Sequence, residues 1–122
     1  MNRTRIKICG FTTPEQAAHA AYAGVDAIGL VFYPPSPRHV SIELAQKIVQ
    51  ALPAFTTVVA LFVDASEAEI KQVISQVRID LLQFHGNESP EACRQYPLPY
   101  MKAIRMQTET DINALSKSYH DA

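Results

Sequence analysis

Residues 56–77, "TTVVALFVDASEAEIKQVISQV", hold two patterns back to back. Val58 to Val63 is apolar without a break. A strand with one wet face alternates apolar and polar residues. An unbroken run suits a strand covered on both faces, as in a parallel sheet. After Asp64 the period changes. Ile70, Val73, Ile74 and Val77 recur at helical spacing, and Ser66 with Glu69 forms a capping box in front of them. A doubly covered strand that runs straight into an amphipathic helix is one βα unit.

The unit repeats on both sides. Upstream, "RIKICGF" is a short β-branched run ended by glycine, and "TPEQAAHAAYAG" reads as a helix. Thr13 suits its N-cap, Pro14 its first turn, Gln16 a capping box and Gly24 its stop. "DAIGLVFY" is the second strand, and the loop "PPSPRHV" follows it. Ser41 caps "IELAQKIVQAL", whose Ile42, Ala45, Ile48, Val49 and Leu52 share one face. Downstream, "DLLQFHG" is the fourth strand and Ser89-Pro90 opens a short helix. "YMKAIRM" is the fifth strand, and "TETDINALSKSYH" is a more polar fifth helix.

Strict alternation without a linker predicts an α/β fold, a single domain over residues 1–122 with parallel strands and crossover helices. Two architectures accommodate five βα units. One is a complete doubly wound sheet. The other is the first five units of a (β/α)8 TIM barrel, whose usual length is about 250 residues. In either, chemistry gathers at the C-terminal ends of the strands. Those ends carry Cys9-Gly10, Tyr33 with its loop, Asp64, His85-Gly86 and Arg105.

Composition narrows the class. Hydrophobic residues make up 48% and the formal net charge is −1, which suits a soluble globular chain. No Lys/Arg run points to nucleic acid, and no apolar stretch reaches the ~20 residues of a membrane span. "MNRTRIKICG" is basic but lacks the apolar core of a secretory signal. Cys9 and Cys93 are the two cysteines, and they read as free thiols in a reducing, cytoplasmic setting. No CxxC or HxxxH spacing suggests a metal.

Strand alternation sorts the polar residues. Lys7 and Cys9 share one face of the first strand; Gln83 and His85 share one face of the fourth. Such residues suit the mouth of a barrel better than a purely apolar core. Cys9 is either a small buried apolar residue or a reactive thiol. Lys7 on the same face would favour the thiolate over a thiol of free pKa ~8.5. His85 either bonds a nearby carbonyl or takes part in chemistry. Arg38 follows three prolines, and a stiff loop holding one guanidinium suits capture of a carboxylate or phosphate. Cys93, in "EACRQY", reads as structural. Asp64 and Lys102 together suggest a phospho-receiver domain, but that needs acids for Mg²⁺ at the end of the first strand. Cys9-Gly10 stands there instead, so Asp64 is assigned to the connection into the third helix.

"KICG", "GLVFYPPSPRHVS", "VALFVD" and "LLQFHGNE", in this order, resemble the phosphoribosylanthranilate isomerases. The resemblance runs over nearly the whole chain and implies a (β/α)8 barrel, of which these residues supply the first five units. It implies an Amadori rearrangement in tryptophan biosynthesis. N-(5-phosphoribosyl)anthranilate becomes 1-(2-carboxyphenylamino)-1-deoxyribulose 5-phosphate, with no cofactor or metal. The family's base corresponds to Cys9, its anthranilate-carboxylate ligand to Arg38, and a site-lining histidine to His85; Lys7 is assigned to the substrate side from its place on the face of Cys9, not from the family. Its general acid, an aspartate ending the sixth strand, falls beyond Ala122. So do the phosphate loops after strands seven and eight.

Three functions compete: the isomerase or its N-terminal portion, a half-barrel that takes up a partner chain, and another phosphosugar barrel such as indole-glycerol-phosphate synthase. The last is expected to use lysine and glutamate instead of a first-strand Cys-Gly. Taken alone, the five units are expected to be inactive and to self-associate through open strand edges. The inward Val59, Leu61 and Ile104 are expected to lose their cover.

Overall fold

A computed structural model describes residues 2–122. Five strands and five helices alternate: β1 (Lys7–Cys9), α1 (Pro14–Tyr22), β2 (Ala27–Val31), α2 (Ile42–Gln50), β3 (Thr57–Phe62), α3 (Glu67–Gln76), β4 (Leu81–Phe84), α4 (Pro90–Arg94), β5 (Tyr100–Lys102) and α5 (Ile112–Ser118). Side-chain oxygens start the first four helices where the sequence places them, whereas α5 begins at Ile112, four residues later than "TETDINALSKSYH", because Asp111 caps it. Thr13, Ser41, Ser66, Ser89 and Asp111 each accept a backbone N–H of the following turn. The box at Ser66 and Glu69 is complete. At Thr13 only the first half forms, the bond from the Gln16 N–H. Gly24 ends α1 at φ +109°, a conformation that side-chain-bearing residues avoid.

The sheet is parallel throughout and its order is β1-β2-β3-β4-β5. A doubly wound sheet reverses direction at a switch point; this one never does. The layers agree. Ile28, Leu30, Val58, Ala60, Phe62, Leu82 and Phe84 point to one face, where they join Ala17, Ala45, Ile48, Ile70 and Val73 from the helices in a single core. The opposite face carries Lys7, Cys9, Gly29, Val59, Leu61 and Gln83, in register across the strands. Helices on one side and a concave face on the other describe a barrel segment.

Two expectations are corrected. Pairing ends at Lys102, so β5 is shorter than "YMKAIRM"; beyond the Ala103 N–H bond to Phe84 O (2.9 Å), residues 104–107 have no strand to pair with. The inner face is also better covered than expected, with Val59 at 0% and Leu61 at 9% exposure. Cover fails at the edge instead, where Ile6 and Ile8 of the first strand region are 48% and 44% exposed.

Candidate active site

The end of β1 is tightly built. Cys9 pairs with Gly29 of β2. A Cβ at Gly29 would lie 2.6 Å from Cys9 Sγ, so the thiol rests in a notch that only glycine leaves open. Gly10 follows at φ +95° and donates its N–H to Gly29 O at 2.9 Å. Its missing side chain makes room for Arg38, whose Nη1 would come within 2.5 Å of a Cβ there. Arg38 Nη1 donates to the Cys9 carbonyl oxygen at 3.2 Å.

The proline-rich loop holds that guanidinium through its own bonds. Ser36 N–H reaches Tyr33 O at 2.9 Å, and Val40 N–H returns to Val31 O at 3.0 Å. Ser36 Oγ accepts the Arg38 N–H at 3.1 Å. Arg38 itself is exposed, free to meet an anion with its remaining donors.

His85 stands just past β4. Its N–H donates to Phe62 O at 2.9 Å and its side chain is exposed. Gly86 follows because the Asp64 carboxylate occupies the space: a Cβ at Gly86 would lie 2.6 Å from Asp64 Cγ. Asp64 lies in the connection into α3, as expected, with φ +49°. Its carboxylate also crosses to β4 and accepts the Asn87 N–H at 2.8 Å.

Sequence reasoning missed Glu88. It is buried, and its carboxylate accepts the N–H groups of Asp64 and Gly86, each at 2.9 Å. Lys102 Nζ lies 3.3 Å from Glu88 Oε1, with both side chains under a tenth exposed. Lys102 is level with Phe84, so it approaches from the helix side of the sheet, away from the concave face. The signal for Glu88 was weak: an acid two residues beyond a strand-ending glycine.

Lys7 lies on the concave face with Cys9 but toward the other end. It lines a cavity of about 430 Å³ at the N-terminal end of the strands with Arg5, Asp26, Phe55, Leu81 and Met101. The structure thus brings Cys9 and Arg38 together, sets His85 at the same end of the sheet, and places Lys7 in a different opening. On that face the Gln83 Oε1 is buried without a hydrogen-bond partner among the described residues.

The two thiols differ in exposure. Cys9 is partly exposed and Cys93 is buried. Burial, then the nearby Glu88 charge, pushes the Cys93 thiol up to about 11. Among the described residues no group of three or more His, Cys, Asp or Glu side chains is placed to hold a metal ion.

A parallel βα barrel segment with a thiol and an arginine fixed at its C-terminal end is the class these features define. The family profile described as N-(5'phosphoribosyl)anthranilate (PRA) isomerase matches residues 6–122. The chain belongs to that family. Among curated relatives named N-(5'-phosphoribosyl)anthranilate isomerase, that of Neisseria meningitidis serogroup A is 54% identical over all 122 residues, which cover 59% of its length. That of Nitrosococcus oceani is 53% identical over 120 residues, 98% of this chain and 58% of its own. The crystal structure of the Thermotoga maritima phosphoribosyl anthranilate isomerase superposes with a TM-score of 0.88 at 37% identity, over 94% of this chain and 57% of its own. A second structure, a phosphoribosyl anthranilate isomerase in complex with reduced 1-(o-carboxyphenylamino)-1-deoxyribulose 5-phosphate, matches at 37% identity and the same score. The chain therefore spans just under 60% of the length of these curated relatives.

Proposed function

We propose that this chain supplies the first five βα units of an N-(5'-phosphoribosyl)anthranilate isomerase and contributes its general base. In the reaction a general acid protonates the furanose ring oxygen. The C1–O bond breaks and a protonated Schiff base forms. The Cys9 thiolate then takes the proton from sugar C2, and the electron pair becomes the C1=C2 bond of an enolamine. Return of a proton to C1 and loss of one from the C2 hydroxyl give the aminoketose. No electron is gained or lost overall, so the scheme needs no redox partner; it uses neither metal nor cofactor. Arg38 takes the anthranilate carboxylate and His85 lines the site; Lys7, read from the sequence as a substrate-side cation, opens instead into the cavity at the other end of the strands and is given no part in this scheme. The substrate is a small phosphorylated molecule; neither nucleic acid nor a membrane is a partner, and the setting is the reducing cytoplasm. No helix among the described residues is long and apolar enough to cross a membrane.

The observation that carries this reading is the fixed pair at the end of β1, the Cys9 thiol in its glycine notch and Arg38 bonded to the Cys9 carbonyl. The test uses a family-length hybrid, with residues 1–122 joined to the C-terminal remainder of the Neisseria meningitidis relative. The hybrid is expected to isomerise phosphoribosylanthranilate, and Cys9→Ala to lower its turnover by ~10²–10⁴. Unchanged turnover in that variant removes Cys9 from the mechanism.

A second reading, a barrel segment that takes up further units from another chain, is favoured by the exposed Ile6 and Ile8 beside the open edge of β1. A second copy of the same segment is one such chain.

A further inference from the structure

His85 has an exposed side chain on an unusually constrained backbone. Its own N–H is bonded to Phe62 O. The two peptides that flank Gly86 are each held once: Glu88 Oε1 takes the Gly86 N–H, on the His85 side, at 2.9 Å, and Lys102 Nζ donates to Gly86 O, on the Asn87 side, at 2.5 Å. Glu88 Oε2 reaches further, to the Asp64 N–H at the end of β3. Lys102 spends its other donors on Ala103 O (3.1 Å) and Glu88 Oε1 (3.3 Å). Tyr119 Oη, from the end of α5, closes on the Glu88 carbonyl at 2.6 Å. The bonds of this buried ion pair thus go mainly to backbone at the ends of β3, β4 and β5.

Stability alone is a poor reason for such a pair. Desolvating two charges offsets most of their attraction, and apolar replacements often do as well. The pair also approaches from the helix side of the sheet, since Lys102 is level with Phe84, so it does not face a ligand on the concave side. What it fixes is the backbone at Gly86, the residue directly after His85.

We propose that Glu88 and Lys102 are positioning residues for His85, holding its imidazole at the substrate-facing mouth through the backbone N–H and C=O of Gly86. This rests on the isomerase reading for its kinetic consequence but not for its structural one, and the test separates the two. In the hybrid protein, Glu88→Gln is expected to lower kcat/KM by roughly 10–10²-fold, the usual penalty for a displaced site group, mostly in kcat. In a His85→Ala background the same substitution is expected to cost little further, because interacting residues are non-additive. Full additivity of the two losses overturns the proposal, since it means that Glu88 acts independently of His85.

Proton NMR of the imidazoles gives a readout that needs no activity. The His85 signals, identified by their loss in His85→Ala, are expected to shift and broaden in both Glu88→Gln and Lys102→Met. Those of His19, on α1, stay in place. His85 signals unchanged in both folded variants overturn the proposal even if kcat/KM falls. Silent kinetics in the unaltered hybrid count against the isomerase reading, and the NMR comparison still decides the clamp.

Discussion

Arg38 and Cys9 stand 29 residues apart in sequence, yet the Arg38 guanidinium donates to the Cys9 carbonyl oxygen at 3.2 Å across the glycine that follows it. One cation therefore overhangs the strand end that carries the candidate base. The bond uses one donor of a five-donor fork, leaving the others for an incoming carboxylate.

Replacing Arg38 tests that arrangement. In the hybrid, Arg38→Ala is expected to weaken substrate binding, read as a rise in KM. Stability should stay within about 0.5 kcal/mol, as for an ordinary exposed position. Arg38→Lys should restore the charge but not the fork, recovering binding only in part. A large fall in melting temperature with unchanged kinetics would make Arg38 a structural tether of β1.

The thiols offer a chemical test. Cys93 is buried and its thiol is pushed up to about 11, so at pH 8 it is both shielded and protonated. A thiol reagent is expected to modify one cysteine per native chain, Cys9, and both after denaturation. Substrate or product analogue should protect Cys9. Fast labelling of Cys93 in the native protein would contradict the packing of α4.

Gly29 is expected to be intolerant of even one methyl group. A Cβ there meets Cys9 Sγ at 2.6 Å and Cys9 Cα at 3.0 Å. Gly29→Ala should therefore displace the thiol and cut turnover more than it cuts stability. Gly24→Ala, where nothing lies within 4 Å but φ is +109°, should do the reverse, costing stability by backbone strain and leaving turnover alone. Activity assays paired with thermal melts of the two variants distinguish a notch from a turn.

Asp26 makes a prediction in pH. Its carboxylate accepts from Arg3 and from the Ile6 N–H at 2.8 Å. These bonds, the Arg3 bond first, hold it down to about 2, against ~4 for a free carboxylate. A depressed folded value means that its stabilisation is present above the unfolded value and is lost as pH falls through the folded one. Asp26→Asn should lower the melting temperature at pH 7, and the gap to the parent should close between about pH 4 and pH 2. Added salt should narrow the part owed to Arg3, which is exposed. A gap that persists at pH 2 would assign the effect to shape and not to charge.

Residues 1–122 expressed alone are expected to lack isomerase activity and to associate through the β1 and β5 edges, whose backbone groups have no strand partner on their outer sides among the described residues. Sedimentation and an activity assay check both. A stable monomer with normal turnover would overturn the site assignment, because the acid would then have to lie among these residues.

The fold was legible because each βα unit announces itself locally. Val58–Val63, the box at Ser66 and Glu69, and the Gly24 stop each depend on residues a few positions apart. The candidate base and its arginine were legible as residue types at strand ends, and alternation paired Lys7 with Cys9 on one strand and Gln83 with His85 on another; only the register joins the two faces. What was not legible depends on partners far along the chain. Glu88 meets Asp64 and Lys102 only once three strands are aligned. The notch at Gly29 depends on its register with Cys9. The split between Cys9 and Lys7 arose because two residues on one strand face can still line openings at opposite ends. β5 was overread because propensity marks a run that can be a strand, whereas pairing needs a neighbour.

The sequential order of the sheet has a consequence for how the chain acquires its shape. Each strand pairs with the one before it, over separations that run from 18 residues (Leu82 to Tyr100) to 30 (Ala27 to Thr57). No strand must wait for a distant segment, so loop-closure entropy is met in small, similar steps. A chain of this kind can build its sheet in the direction in which it is synthesised, each new unit docking on a surface already formed. Among the described residues the edge of β1 carries no further strand, and Ile8 on that strand stays 44% exposed.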